Sequence, residues 1–303
     1  EALESILAQT FPHWRLVAVD DASTDRTWSI LCRTASRDER VLALKNESKG
    51  IVGALNTALG HSRSPFIARM DADDISHPGR LDLLLTLMEE KPAAGVVGSA
   101  VALFPSGATT PNMERYIAWQ NSLLTPEDMR RERYVESTMT HASALFRREL
   151  LVEHGGWREG PFPEDLDLWL RLHSAGVVFV KHPEVLYLWR EHDERESRAS
   201  DRCSPEAFHR CKVNHLSREL RERGLESLVI LGPDRTRSRW ADSLLAEGFE
   251  CIPLAWSPGE PLPEEVAGAP FTLVAFGVPE VRERVRVELE ETGEEERDWI
   301  FVG

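Results

Sequence analysis

Two short apolar runs in this chain run straight into acid. Arg15 to Val19 is followed by Asp20-Asp21, and Phe66 to Met70 by Asp71-Ala72-Asp73-Asp74. Runs of this length read as buried strands. Helical patterns lie between and after them: Ser23-Thr24-Asp25 caps a helix to about Ala35, Gly53 to Leu59 is small-residue helix, and Pro78 to Glu90 is amphipathic. Strands alternating with helices predict an α/β fold with a mostly parallel sheet flanked by helices. Open α/β sheets collect ligands beyond the carboxyl ends of their strands. Carboxylates at two such ends therefore mark the expected site.

Further along, Gly95 to Phe104 reads as a strand, Pro105 to Glu136 as a polar insertion over one face, and Thr140 to Phe146 as strand-like. Glu164 to Ser174 reads as a helix and Val177 to Val180 as a strand. Arg190 to Ser204 is charged and irregular, and Pro205 to Arg223 is an amphipathic helix suited to link two units. After Gly224 the pattern restarts: Ser227 to Leu231, Phe249 to Trp256, Thr272 to Gly277 and Trp299 to Val302 as strands, with helices over 235–247 and 279–292. At 303 residues, this predicts domains at 1–204 and 224–303 joined by 205–223.

A net charge of −15 makes nucleic acid a poor partner, since an acidic surface does not concentrate on a polyanion. A nucleotide ligand stays open, because one cation offsets local repulsion. Four scattered cysteines without a CxxC pair read as free thiols, and a zinc site is not expected. No run is apolar enough to span a bilayer. The expected location is the cytoplasm, in solution or peripheral at the inner face of the membrane. Glu1 to Leu7 reads as mid-helix, which predicts a preceding segment that includes a first strand.

Asp71 and Asp73 can face one side of a strand-to-loop turn and share a hard cation such as Mn2+ or Mg2+. A solvated acidic turn has the same composition. Asp20 or Asp21 can accept from a base N–H or a ribose hydroxyl, while Ser23 or Asp25 serves the helix start. Glu164-Asp165 opens a helix, where acids favour the dipole by roughly 0.3–1 kcal/mol. The same place suits a general base, and the helix-dipole reading is the more frequent one. His192 can be a third metal ligand or a surface histidine. His141 reads as packing rather than chemistry.

Taken in order, these segments resemble the family 2 glycosyltransferases of the GT-A fold. The matching pieces are EALESILAQTF from Glu1, VDDASTD from Val19, GALNTA from Gly53, MDADD from Met70 and PGRL from Pro78. GGW from Gly155, EDLDLWLR from Glu164 and YLWREH from Tyr187 complete the set. The resemblance covers about the first two-thirds of the chain and rests on order and spacing together. It reverses the plain reading of Asp165. It implies that Asp20 and Asp21 serve the nucleotide, Asp21 binding the base, most often uracil. Asp71 lies near ribose and diphosphate, Asp73 holds the divalent metal, and His192 assists the metal or diphosphate. Asp165 is the base of an inverting single displacement, and Glu164 and Trp157 shape the acceptor site. The implied partners are a nucleotide-sugar donor, probably UDP-linked, and a glycan, lipid-linked or small-molecule acceptor.

The alternatives are a nucleotidyltransferase, disfavoured by Glu164-Asp165, and an inactive nucleotide-sugar-binding protein of the same fold, disfavoured by the retained acids. The C-terminal unit resembles a Rossmann-like domain that has lost its cofactor site. Gly232 follows a strand, but Asp234 and Arg237 stand where the dinucleotide pattern needs glycine, so a dehydrogenase is disfavoured. A partner, a second copy or a small ligand other than a dinucleotide is the expected use of that unit.

Overall fold

A computed structural model of the chain describes residues 1–105, 109–192, 195, 200–291 and 299–303. Parts of the expected 105–136 insertion, the charged 190–204 segment and the helix end at 292 lie outside the described residues. The strands form three sheets. In the first, β1 (Leu16–Asp20) pairs parallel with β2 (Val41–Lys45). In the second, five strands run in the order β3 (Phe66–Ala68), β6 (Leu145–Arg147), β5 (Ala94–Phe104), β7 (Val178–Arg190), β4 (Ile75–Ser76). Only β5 and β7 are parallel there; β3, β6 and β4 run against their neighbours. The third sheet is all parallel: β11 (Trp299–Phe301), β10 (Thr272–Val274), β8 (Ser227–Leu231), β9 (Glu250–Leu254).

The described fold is therefore α/β with mixed, mostly parallel sheets, as expected. Two local readings change. Residues His141–Ser143 form a 3-10 turn rather than a strand, and β6 starts only at Leu145. Strand β7 extends to Arg190, because its second half pairs with both the end of β5 and the two-residue β4. That pairing has a consequence for the site: Ile75 opposite Leu188 lays the 71–74 acids beside the end of β7.

Helices α1 (Ala2–Leu7), α2 (Thr27–Ala35), α3 (Ile51–His61) and α4 (Arg80–Glu90) follow their patterns to within a few residues. Asp25 accepts the Thr27 N–H at 2.9 Å and starts α2. Helices α5 (Pro111–Ser122) and α6 (Pro126–Glu132) each begin with a threonine cap and proline in the first turn. Helix α7 (Arg148–Glu153) leads to the turn before Trp157, and α8 (Glu164–Ser174) follows. Nearly every side chain of α8 is buried, because the helix lies between the five-stranded sheet and α9 (Pro205–Glu222).

Helix α9 is packed on both sides rather than spanning open solvent. Leu166 and Leu170 of α8 share one core with Leu216 and Leu220 of α9 and with β8 and β10. The parallel sheet, with α10 (Asp234–Ala246), α11 (Glu264–Ala267) and α12 (Pro279–Glu291), is joined to the rest by more than α9. Arg282 meets Glu132 at 2.8 Å with both side chains buried, and Tyr134 bridges to Val302. Gly232, at φ 145°, presses on β10: a Cβ there would lie 2.7 Å from the Ala275 carbonyl oxygen.

A buried ion network locks α8 to its surroundings. Asp167 takes Arg171 Nε at 2.7 Å and contacts His215 Nε2 of α9 at 3.0 Å. Arg171 also donates to the Gly156 and His154 carbonyls. Burial pushes the Asp167 carboxyl up, but the bonds from His215 and Arg171 outweigh it and hold it below its ordinary value. Asp167→Ala is expected to lower unfolding free energy by about 3–5 kcal/mol, since it strands a buried guanidinium. Urea unfolding midpoints check this. A depressed carboxyl stabilises above its unfolded value and stops doing so as pH falls below about 4, so the variant should also lose part of the parent's acid sensitivity.

Candidate active site

A cavity of about 590 Å³ opens where the 71–74 turn, α5, the 136–142 segment and the start of α8 meet. Such a volume suits a small-molecule site. Asp71 and Asp73 line one part of it, and Glu164 and Asp165 another. Residues nearly a hundred positions apart thus share one space.

The acid turn is held by the end of β7. Arg190 donates its backbone N–H to Asp74 at 2.7 Å and its Nε–H to the Asp73 carbonyl at 2.5 Å. Tyr187 receives the Asp71 N–H at 3.1 Å. His192 Nε2 lies 3.0 Å from Asp73 Oδ2, with both side chains partly open. Asp71, Asp73 and Asp74 each offer a carboxylate oxygen within 4.8 Å of the others. Crowded hard oxygen donors beside an imidazole fit Mg2+ or Mn2+ in chemistry and number. Asp74 is fully buried, and burial together with the Asp71 charge raises it to about 6. Arg69 forms an ion pair with Asp71 and lines the same cavity.

Glu164 and Asp165 begin α8. Asp165 accepts the Leu166 N–H at 2.7 Å and is half-buried, deep in the molecule with one face toward the cavity. Burial raises its carboxyl above the ordinary range. Glu164 accepts from Arg202 at 2.8 Å, and burial plus the neighbouring Asp165 charge raise it to about 7. If Asp165 acts as a base, its ionised form is the active one, so kcat/KM should fall on acidification at a pH above the usual carboxylate window near 4. A kcat/KM that stays flat down to about pH 4.5 would contradict this.

Asp20 and Asp21 are not among the residues lining the cavity. Asp20 is buried, and its Oδ1 has no partner among the described residues. Asp21 is exposed and accepts the Gly50 N–H at 2.9 Å and Asn46 Nδ2 at 2.8 Å. Its anchor adjoins Ile51, which does line the cavity. The turn after Asp21 is strained, with Ala22 at φ 59°.

Trp157 is buried, is not among the residues lining this cavity, and turns its indole N–H onto His141 Nε2 at 2.8 Å. The reason is its backbone: Asn56 clasps Trp157 N and O at 3.1 and 2.8 Å. The preceding Gly156 sits at φ 60°, with no room for a Cβ beside Asn56. His141, read as packing, does line the cavity. Arg69, Asp74, Tyr187 and Glu136 were not singled out from sequence. Arg69 and Asp74 flank the acid motif directly, so proximity was their only signal.

Residues 1–155 match the profile of the family described as Glycosyl transferase family 2. EpsE of Bacillus subtilis (strain 168), named as a glycosyltransferase, is 30% identical over 203 residues, which cover 66% of this chain and 70% of that protein. WfgD of Escherichia coli, named as a UDP-Glc:alpha-D-GlcNAc-diphosphoundecaprenol beta-1,3-glucosyltransferase, is 38% identical over 88 residues, 29% of this chain and 34% of that one. Among solved structures, the mannosyltransferase PcManGT from Pyrobaculum calidifontis, in complex with GDP-Man and Mn2+, superposes with a TM-score of 0.48 at 22% identity. That match covers 73% of this chain and 58% of the other. No described helix is long and apolar enough to cross a membrane.

Proposed function

This chain belongs to glycosyl transferase family 2, and from that premise we propose that it moves a sugar from a UDP-linked donor to an acceptor hydroxyl with inversion at the sugar carbon, aided by a divalent cation. The observation that carries this reading is the shared cavity, with Asp71 and Asp73 in one part and Asp165 in another. An in-line displacement needs a base on one side of the sugar carbon and a stabilised leaving group on the other.

In this reading Asp165 takes the proton of the acceptor hydroxyl as its oxygen attacks C1. The C1–O bond to the diphosphate breaks, and its electron pair leaves with UDP. Asp73 and His192 would hold Mn2+ or Mg2+, with Asp71 beside them. A bound cation supplies Lewis-acid stabilisation to the departing diphosphate. Asp21, next to the cavity through Gly50, serves the base. Glu164 carries a raised pKa beside Asp165 and faces the acceptor. UDP is favoured because the WfgD relative is named for UDP-Glc. That name also supports a lipid-linked saccharide as acceptor.

We read residues 1–204 as the transferase domain, 205–223 as the linking helix and 224–303 as a Rossmann-like unit that holds no cofactor. In support of the last point, Arg237 Nη1 bonds the Gly232 carbonyl at 2.9 Å across the turn where a pyrophosphate would approach.

Thermal unfolding with a panel of nucleotide sugars tests the proposal. A UDP-sugar plus Mn2+ should raise the melting temperature; at 100 times Kd the gain is about 2.7 kcal/mol. No shift with any nucleotide sugar, with or without metal, would refute it.

A further inference from the structure

His141 sits in an aromatic box whose ring contacts are Phe146, Trp157 and Trp169, with centroids 5.6–6.3 Å away. The one hydrogen bond of its ring among the described residues comes from the indole N–H of Trp157, at 2.8 Å to Nε2. An indole nitrogen can only donate. Nε2 must therefore be the bare, accepting nitrogen. In a neutral imidazole the proton then belongs on Nδ1.

Neutrality has independent support. The residue is 5% exposed, and burial together with the nearby Arg69 charge holds its pKa well below the ordinary histidine value. Among the described residues the Nδ1 atom has no partner, yet it is not one of the sealed, unpartnered polar atoms there. The residue lines the cavity. The Nδ1–H is therefore a fixed donor with access to that space.

Trp157 cannot easily relax this arrangement. Asn56 clasps its backbone, and Arg171 holds the Gly156 and His154 carbonyls just before it. The indole itself packs against His141 and Phe146, so buried ring contacts rather than a free rotamer set its direction. The tautomer of His141 inherits that rigidity.

We propose that His141 is a specificity-determining residue, whose Nδ1–H, fixed in that tautomer by Trp157, donates a hydrogen bond to a hydroxyl oxygen of the transferred sugar. The inference rests on the transferase reading of the cavity. The sugar must lie between the diphosphate end at Asp71 and Asp73 and the base Asp165. His141 lines this same space and lies near Arg69, the partner of Asp71. A donor that never titrates near neutral pH suits a hydroxyl oxygen, which accepts without ionising. A site built to bond a hydroxyl discriminates strongly against a sugar that lacks it or turns it away.

The test uses the full chain. Nitrogen-15 spectra of the histidine-labelled parent, with the His141 signals assigned by their loss in His141→Gln, should show a protonated Nδ1 and a bare Nε2. A proton on Nε2 would overturn the proposal without touching the transferase reading. His141→Gln is the second arm, because its amide oxygen can take the Trp157 N–H while its NH2, at the tip of the side chain, leaves the Nδ1 position without a donor. Calorimetry with Mn2+ then compares UDP with UDP-glucose, UDP-galactose and UDP-N-acetylglucosamine. Expected is a roughly tenfold weaker affinity for the UDP-sugar the parent binds best, with UDP itself unchanged. Equal weakening of UDP and UDP-sugar, or no weakening of either, overturns the role of His141. If the parent binds no nucleotide sugar at all, the transferase reading falls and takes this inference with it.

Discussion

Asp165→Asn is expected to lower kcat by roughly 10³-fold while leaving UDP affinity within a factor of about two. Asparagine keeps the size of the side chain, and its Oδ1 can still accept the Leu166 N–H that starts α8. What it cannot do is take a proton. Glu164 is adjacent, and loss of the Asp165 charge makes it easier to ionise, because that charge is one cause of its raised pKa. The double variant Glu164→Gln/Asp165→Asn controls for a substitute base. Release of UDP measures turnover and calorimetry measures binding. A single variant with kcat within a few-fold of the parent, and a double variant no slower, would remove Asp165 from the base role.

The second large effect is expected at the cation site. Chelation with EDTA should abolish transfer, and added Mn2+ should restore it. Asp73→Ala should cost roughly 10²-fold in kcat/KM and remove the Mn2+-dependent part of UDP affinity. The residue is suited to such a test because its side chain is partly open and its structural bonds run through its backbone carbonyl, which alanine retains. Asp74 is the informative contrast. It is buried and holds the Arg190 N–H, so Asp74→Asn should act on stability as well as on metal. Unchanged Mn2+ dependence in Asp73→Ala would take that residue out of the ligand set.

Several features of the site were legible before any coordinates. The acids at 71 and 73 follow a strand pattern, and the acids at 164 and 165 open a helix; both signals are local. The structure brings these two pairs to one cavity. His192, which reads as a third metal ligand or a surface histidine, lies against Asp73. Strand β4 was not legible, because two residues carry no periodicity, and its pairing with β7 exists only in the folded chain. The same limit explains Trp157 and His141. The resemblance places Trp157 at the acceptor site and His141 reads as packing, while the contacts that orient them come from residues far along the chain, Asn56 lying 101 positions before Trp157.

By itself the sequence determined the alternation of strands and helices, the acid-bearing strand ends and helix start, and the order of motifs that marks the family. These follow from periodicity, capping and backbone preference, which act within a few residues. Tertiary structure alone decided that Arg190 holds Asp73 and Asp74, that α9 is packed on both faces, and that Trp157 turns inward to contact His141. The physical reason is that contacts between distant residues must offset the entropy of closing long loops. They form where many buried surfaces and hydrogen bonds are satisfied at once, a condition on the whole chain that no short segment carries.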